Sequence, residues 1–231
     1  MKISGCEERQ VINMNEKYEV FTALLEQEKK EEALTYAMDL LKNKEIDLID
    51  LYTNILTPSL NNMECKLADK NICIWKEHVR TAIIRTIVEC CYPYVMEKKK
   101  NLNYPEGKTA VVLCPPEEYH DLGARMAADF FAVCGFHTIF VGSNTPYQDF
   151  YNALDVIHPD IVAISVSNYY NLVTTKKIIK ELKEKRNSKV KIVVGGYAFN
   201  KNPENYITVG ADAYVRSYED IQKLAKEEVL R

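Results

Sequence analysis

From Lys108 to Arg231, short apolar runs alternate with stretches of helical periodicity, and polar or glycine motifs sit at the ends of three of those runs. The alternation predicts strands at about 108–114, 137–142, 160–166, 190–195 and 212–215. It predicts helices near 121–134, 147–157, 171–186 and 218–229, with a weaker segment around 203–208. Ile161-Val162-Ala163-Ile164 and Ile192-Val193-Val194 are continuously apolar, as strands buried on both faces should be. Strands separated by helices imply right-handed crossovers and a doubly wound parallel sheet of five strands. The second helix has a start signal: Thr145 as N-cap, Pro146 at the first helical position and Gln148 as a capping-box partner.

The motifs are Glu118-Tyr119-His120-Asp121-Leu122-Gly123, then Ser165-Val166-Ser167, then Gly195-Gly196. They follow the first, third and fourth strands. A flavodoxin-like order brings those strands side by side, and such sheets bind ligands beyond the carboxyl ends of their strands. A lone loop histidine is weak evidence for a ligand, and a double glycine can be a simple strand-end turn. Together in one register they point to a site. The absence of Gly-x-Gly-x-x-Gly after the first strand argues against a dinucleotide site. The first strand also lacks the acidic cluster with which phosphoacceptor receiver domains hold magnesium. His137 and His158 read as structural.

Before about Lys100 the pattern is helical throughout, with segments near 14–28, 30–43, 46–60 and 75–98. In the last, Val79, Ile83, Ile84, Ile87, Val88, Cys91 and Val95 recur at helical spacing. Four such segments with short connections favour an antiparallel four-helix bundle. Glu97 to Gly107 is charged and polar and reads as a linker, giving a bundle over 1–100 and an α/β domain over 101–231. The formal charge of −3 provides no drive toward nucleic acid. Seven cysteines without Cys-x-x-Cys spacing suggest reduced thiols and a cytoplasmic protein. No apolar run is long enough to span a membrane.

Glu-x-His-x-x-Gly, Ser-x-Ser and Gly-Gly at these spacings resemble the cobalamin-binding domain family over about residues 108–229. The family's usual first motif begins with Asp, and Glu118 in its place resembles the sensor branch more than the methyl-carrier branch. The resemblance implies cobalamin held with its benzimidazole displaced and His120 as the lower axial ligand to cobalt. Glu118, or else Asp121, would support the imidazole. Gly123 would leave room for the displaced nucleotide tail, Ser165 and Ser167 would offer it hydroxyls, and Gly195 and Gly196 would let backbone approach it.

The helical segment resembles the cap that adenosylcobalamin-dependent photoreceptors place over the upper corrin face. Glu77-His78 looks like the Glu-His pair of that cap. The position of the photoreceptor tryptophan is Leu67 here, and the next is Ala68 rather than histidine. Trp75 shares a helix face with His78 and could supply the aromatic surface, or it could anchor the bundle core. His78 is then a candidate upper ligand. The expectation is a cobalamin-binding sensor, not an enzyme, with adenosylcobalamin as cofactor and methylcobalamin as the alternative form. It would respond to light or ligand and regulate transcription through a homo-oligomer or protein partner, without direct DNA binding. The alternative is a corrinoid methyl carrier of a methyltransferase system. A degenerate module without cofactor is disfavoured by the intact His120 and Gly195-Gly196.

Overall fold

The computed structural model describes residues 13–62, 70–102, 107–185 and 190–229 and divides into two compact units, Met1–Glu89 and Cys90–Arg231. Leu67 and Ala68 lie outside the described residues.

The first unit is helical. It contains α1 (Met14–Glu26), α2 (Lys30–Lys42), α3 (Leu48–Asp50), a π-helical turn (Leu51–Leu56), α4 (Thr57–Asn61) and most of α5 (Lys70–Cys90). The expected 46–60 helix is thus one helical run with a π segment in its middle, where the Thr57 amide donates to the Tyr52 carbonyl. Pro58 has no amide to offer, so the ladder must adjust around it. Phe21, Leu51, Tyr52, Ile55, Ile84 and Ile87 are fully buried and form the core of this unit.

The expected 75–98 helix is broken at Cys91, after which α6 (Tyr92–Leu102) begins. Pro93 cannot donate to the preceding turn, and the Cys91 carbonyl instead accepts from the Tyr94 and Val95 amides. α6 packs on α7 (Leu122–Val133). The division therefore falls at 89/90, ahead of the expected 100/101, because the apolar stripe runs on through the break into a helix that belongs to the second unit.

The second unit contains β1 (Thr109–Leu113), β2 (His137–Gly142), β3 (Ile161–Ser165), β4 (Lys191–Gly195) and β5 (Ala213–Tyr214). All neighbours pair in parallel in the order β2-β1-β3-β4-β5, the flavodoxin-like order expected. Between the strands run α8 (Tyr147–Ile157), α9 (Asn171–Lys185), a 3-10 turn (Tyr197–Phe199) and α10 (Asn205–Val209), and α11 (Tyr218–Val229) follows β5. Alternate strand residues feed opposite cores. Val111, Leu113, Val162 and Val194 meet α8 and α9 on one face. Ala110, Val112, Ala163 and Val193 meet α7 and α11 on the other.

Two local expectations fail. The capping box does not form: Pro146 is the N-cap of α8 without a side-chain bond, and the Thr145 hydroxyl donates to the Gly142 carbonyl. Thr145 is held in the loop by backbone neighbours and is not free to cap. Nor are all cysteines reduced, since Cys73 is disulfide-bonded while Cys90, Cys91, Cys114 and Cys134 are thiols. An odd count excludes only complete pairing. His158 is the left-handed C-cap of α8, a structural position as expected. Among the described residues no helix is long and apolar enough to cross a membrane.

Candidate functional site

At the carboxyl edge of the sheet, Glu118 is fully buried in the loop between β1 and α7, and its carboxylate joins two loops. One oxygen accepts from the His120 amide at 3.1 Å and contacts the His120 ring Nδ1 at 2.7 Å. The other accepts from the Ser167 amide at 2.9 Å, the Asn168 amide at 2.8 Å and the Asn171 carboxamide at 3.1 Å. Burial pushes the carboxyl pKa up. The bonds from the Asn168 amide, the His120 ring, Asn171 and the His120 amide outweigh it and hold the group below the ordinary glutamate value. An ionised carboxylate only accepts hydrogen bonds, so Nδ1 of His120 must donate. In the neutral ring the lone pair then lies on Nε2, the arrangement a metal-binding imidazole needs. The ring is available, with 63% of the side chain exposed.

Of the two carboxylates named as candidates, Glu118 is the one hydrogen-bonded to the His120 ring. Asp121 is mostly buried as the N-cap residue of α7 and makes no side-chain capping bond. Behind the pair lies Cys114, whose thiol is pushed up to about 12 by burial and by the charges of Asp121 and Glu118.

The three glycines divide into two kinds. A Cβ on Gly123 would meet nothing within 4 Å, although the residue stands in the first turn of α7. Packing within the chain therefore does not require a glycine there, and glycine in a helix costs roughly 0.5–1 kcal/mol relative to alanine. Open space at that position fits a ligand that needs it. Gly195 and Gly196 are required by the fold itself. A Cβ would lie 2.7 Å from the Val215 carbonyl oxygen at Gly195, and 2.5 Å from that of Val166 at Gly196, where φ is +98°. Ser165 ends β3 beside Gly195, and Ser167 engages the site through its amide.

His120, Glu118, Asp121, Gly123 and Ser167 come together, and Ser165, Gly195 and Gly196 frame the neighbouring strand ends. Trp75, Glu77 and His78 lie on α5 in the helical unit, all exposed, with Trp75 68% exposed. The alternative that Trp75 anchors the bundle core is excluded. Asn168 and Asn171 were not anticipated. Their place directly after Ser167, at the N-terminal entry of α9, was the only available signal.

These features define a doubly wound α/β protein that presents a carboxylate-supported histidine at its ligand-binding edge. The model of the B12 binding domain family matches residues 108–223, and the chain belongs to that family. It is 29% identical over 136 residues to trimethylamine corrinoid protein 1 of Methanosarcina mazei, covering 58% of this chain and 62% of the relative. It is 28% identical over 111 residues to the dimethylamine corrinoid protein of Methanosarcina barkeri, covering 48% and 51%. The chain thus spans less than two thirds of the length of these relatives. The structure of the Methanosarcina barkeri monomethylamine corrinoid protein has the same fold, with a TM-score of 0.78 at 17% identity, over 94% of this chain and all of that one.

The relatives correct the expected kinship with photoreceptors: they are named corrinoid proteins of methylamines. At Glu118, the residue that had suggested the sensor branch, one carboxylate reaches both His120 and the β3–α9 loop.

Proposed function

We propose that this chain is a corrinoid carrier protein of a methyltransferase system, the alternative reading of its sequence, rather than the light or ligand sensor expected. The observation that carries a corrinoid site is the Glu118–His120 contact of 2.7 Å, with the carboxylate buried and the ring exposed, and the relatives favour the carrier over the sensor. Bound there, a corrinoid would supply cobalt able to accept a methyl group and give it up. His120 would be its protein ligand through Nε2. Glu118 would fix the tautomer and orientation of the ring, and the β3–α9 loop would fix Glu118. Gly123 would leave space for the ligand, with Ser165, Ser167, Gly195 and Gly196 lining the adjacent strand ends. Trp75, Glu77 and His78 are kept as candidates for corrinoid contact from the helical unit.

The names of the relatives support a methylated amine as the upstream methyl source, delivered by a methyltransferase that would be the protein partner. Methylcobalamin, rather than adenosylcobalamin, is then the relevant form of the cofactor. Nothing in the geometry favours the sensor, and transcription regulation is set aside with it. The reading is tested by loading the protein with hydroxocobalamin and recording the absorption spectrum of wild type and His120→Ala. A histidine-ligated, benzimidazole-free spectrum in wild type that His120→Ala loses is expected. Identical spectra would reject the site. Adenosylcobalamin-loaded protein that changes its elution volume on illumination would restore the sensor.

A further inference from the structure

The Glu118–His120 pair is held from a third loop as well. Pairing between β1 and β2 shifts register: Val112 pairs with Phe140 and Leu113 with Gly142, so Val141 is skipped. Such a bulge re-aims the chain that follows it. Here it brings Gly142 beside Cys114, whose amide donates to the Gly142 carbonyl at 2.9 Å. Two residues later Asn144 closes a reciprocal clasp on the segment just before His120. Its amide donates to the Glu118 carbonyl at 2.9 Å, and its side-chain Oδ1 accepts from the Glu117 amide at 2.9 Å.

Both partners of the clasp are left-handed. Glu117 has φ +64° and Asn144 has φ +48°. Asparagine tolerates this region, whereas glutamate visits it rarely. A strained backbone of this kind persists only where its surroundings over-determine it. At Glu117 the clasp is that constraint, and the next residue is the carboxylate that orients the histidine.

We infer that Asn144 is a positioning residue for His120: by fixing the Glu117–Glu118 backbone it sets where the Glu118 carboxylate, and through it the imidazole, must point. The inference rests on the corrinoid reading for the loaded protein alone. In the ligand-free protein it concerns only the chain's own residues.

Three substitutions separate the contributions. Asn144→Gly keeps the backbone freedom and removes the acceptor. Asn144→Ala removes both. Asn144→Asp keeps an acceptor and a residue that tolerates the left-handed region. In ligand-free protein, nitrogen-detected NMR of the His120 ring and hydrogen exchange at the Glu117 amide are measured. The Ala and Gly variants should shift or broaden the His120 ring signals and speed exchange at Glu117, while Asp retains the wild-type pattern. With hydroxocobalamin as probe, the Ala and Gly variants should bind about tenfold more weakly, the low end of what supporting partners of metal ligands contribute. Asp should restore binding.

Wild-type ring signals in folded Asn144→Gly overturn the inference, and Gly decides if Ala fails to fold. Altered ring signals in Ala and Gly, with no histidine-ligated spectrum even in wild type, support the positioning role and overturn the corrinoid reading instead.

Discussion

Glu118→Gln exposes the logic of the site most directly. The carboxylate accepts from five donors, two on His120, two in the β3–α9 loop and one on Asn171 at the start of α9. A glutamine has one oxygen. Placed toward the Ser167, Asn168 and Asn171 donors, it turns its own NH2 against the His120 amide and Nδ1. The ring can escape by moving its proton from Nδ1 to Nε2, so that Nδ1 accepts. That tautomer places a hydrogen where a metal would bind. The backbone amide of His120 cannot escape and loses its acceptor in a part-buried position, at about 1 kcal/mol or more. Loss of charge assistance in the remaining bonds brings the total to about 3 kcal/mol, at the low end of what breaking a buried charged network costs. At this chain length that corresponds to a fall in Tm of roughly 6–12 °C. Calorimetry measures the stability, and ring-nitrogen NMR of the ligand-free protein at neutral pH reads the tautomer. The expected result is a lower Tm, an Nε2–H ring and loss of the histidine-ligated spectrum with hydroxocobalamin. A glutamine variant that keeps the Nδ1–H tautomer and melts within about 2 °C of wild type would refute the reasoning.

The two kinds of glycine should respond in opposite ways. Gly123→Ala should leave the ligand-free protein as stable or more stable, by up to about 1 kcal/mol, while weakening hydroxocobalamin binding. Gly196→Ala should destabilise by about 3 kcal/mol or more in urea unfolding, because its Cβ would lie 2.5 Å from a carbonyl oxygen at φ +98°. At the opposite edge of the sheet, Glu228 on α11 bridges Lys108 at 2.9 Å and Lys191 at 3.2 Å. Burial raises its pKa, but the two lysines outweigh that and lower it below the ordinary 4.5. Its contribution is therefore present above the unfolded value and lost as pH falls through the folded one. Glu228→Gln should lower the urea midpoint by an amount equivalent to about 1–2 kcal/mol at pH 7, and the difference from wild type should shrink below pH 4.5. A constant difference across that range would sink the idea. Cys114, with its thiol raised to about 12, should resist iodoacetamide at pH 8 in the folded protein and react once urea unfolds it.

The alternation of apolar runs and helical periodicity was sufficient for the α/β unit. Both faces of β1, β3 and β4 are covered, so their residues must be apolar without alternation, and that requirement is written in the local sequence. The same holds for His120 and Gly123, whose places are fixed by the end of one strand and the start of one helix. Less was legible where a residue's partner is distant along the chain. Periodicity carried the stripe from Ile83 to Val95 straight through the break at Cys91, since burial looks alike on either side of a unit boundary. Thr145 had the spacing of a cap, but the Gly142 carbonyl takes its hydroxyl. Gly195-Gly196 read as a place where backbone comes close to a ligand, and only the fold shows that the backbone of Val166 and Val215 also excludes a Cβ there. Glu118 in place of aspartate was visible as a change of one residue type. What that change does depends on Ser167, Asn168 and Asn171, some fifty residues further on. Local spacing encodes which residues reach the carboxyl edge of a sheet, because strand and helix geometry are short-range. Which of them touch there is set by strand order, register and a single bulge, and those follow from packing of the whole domain.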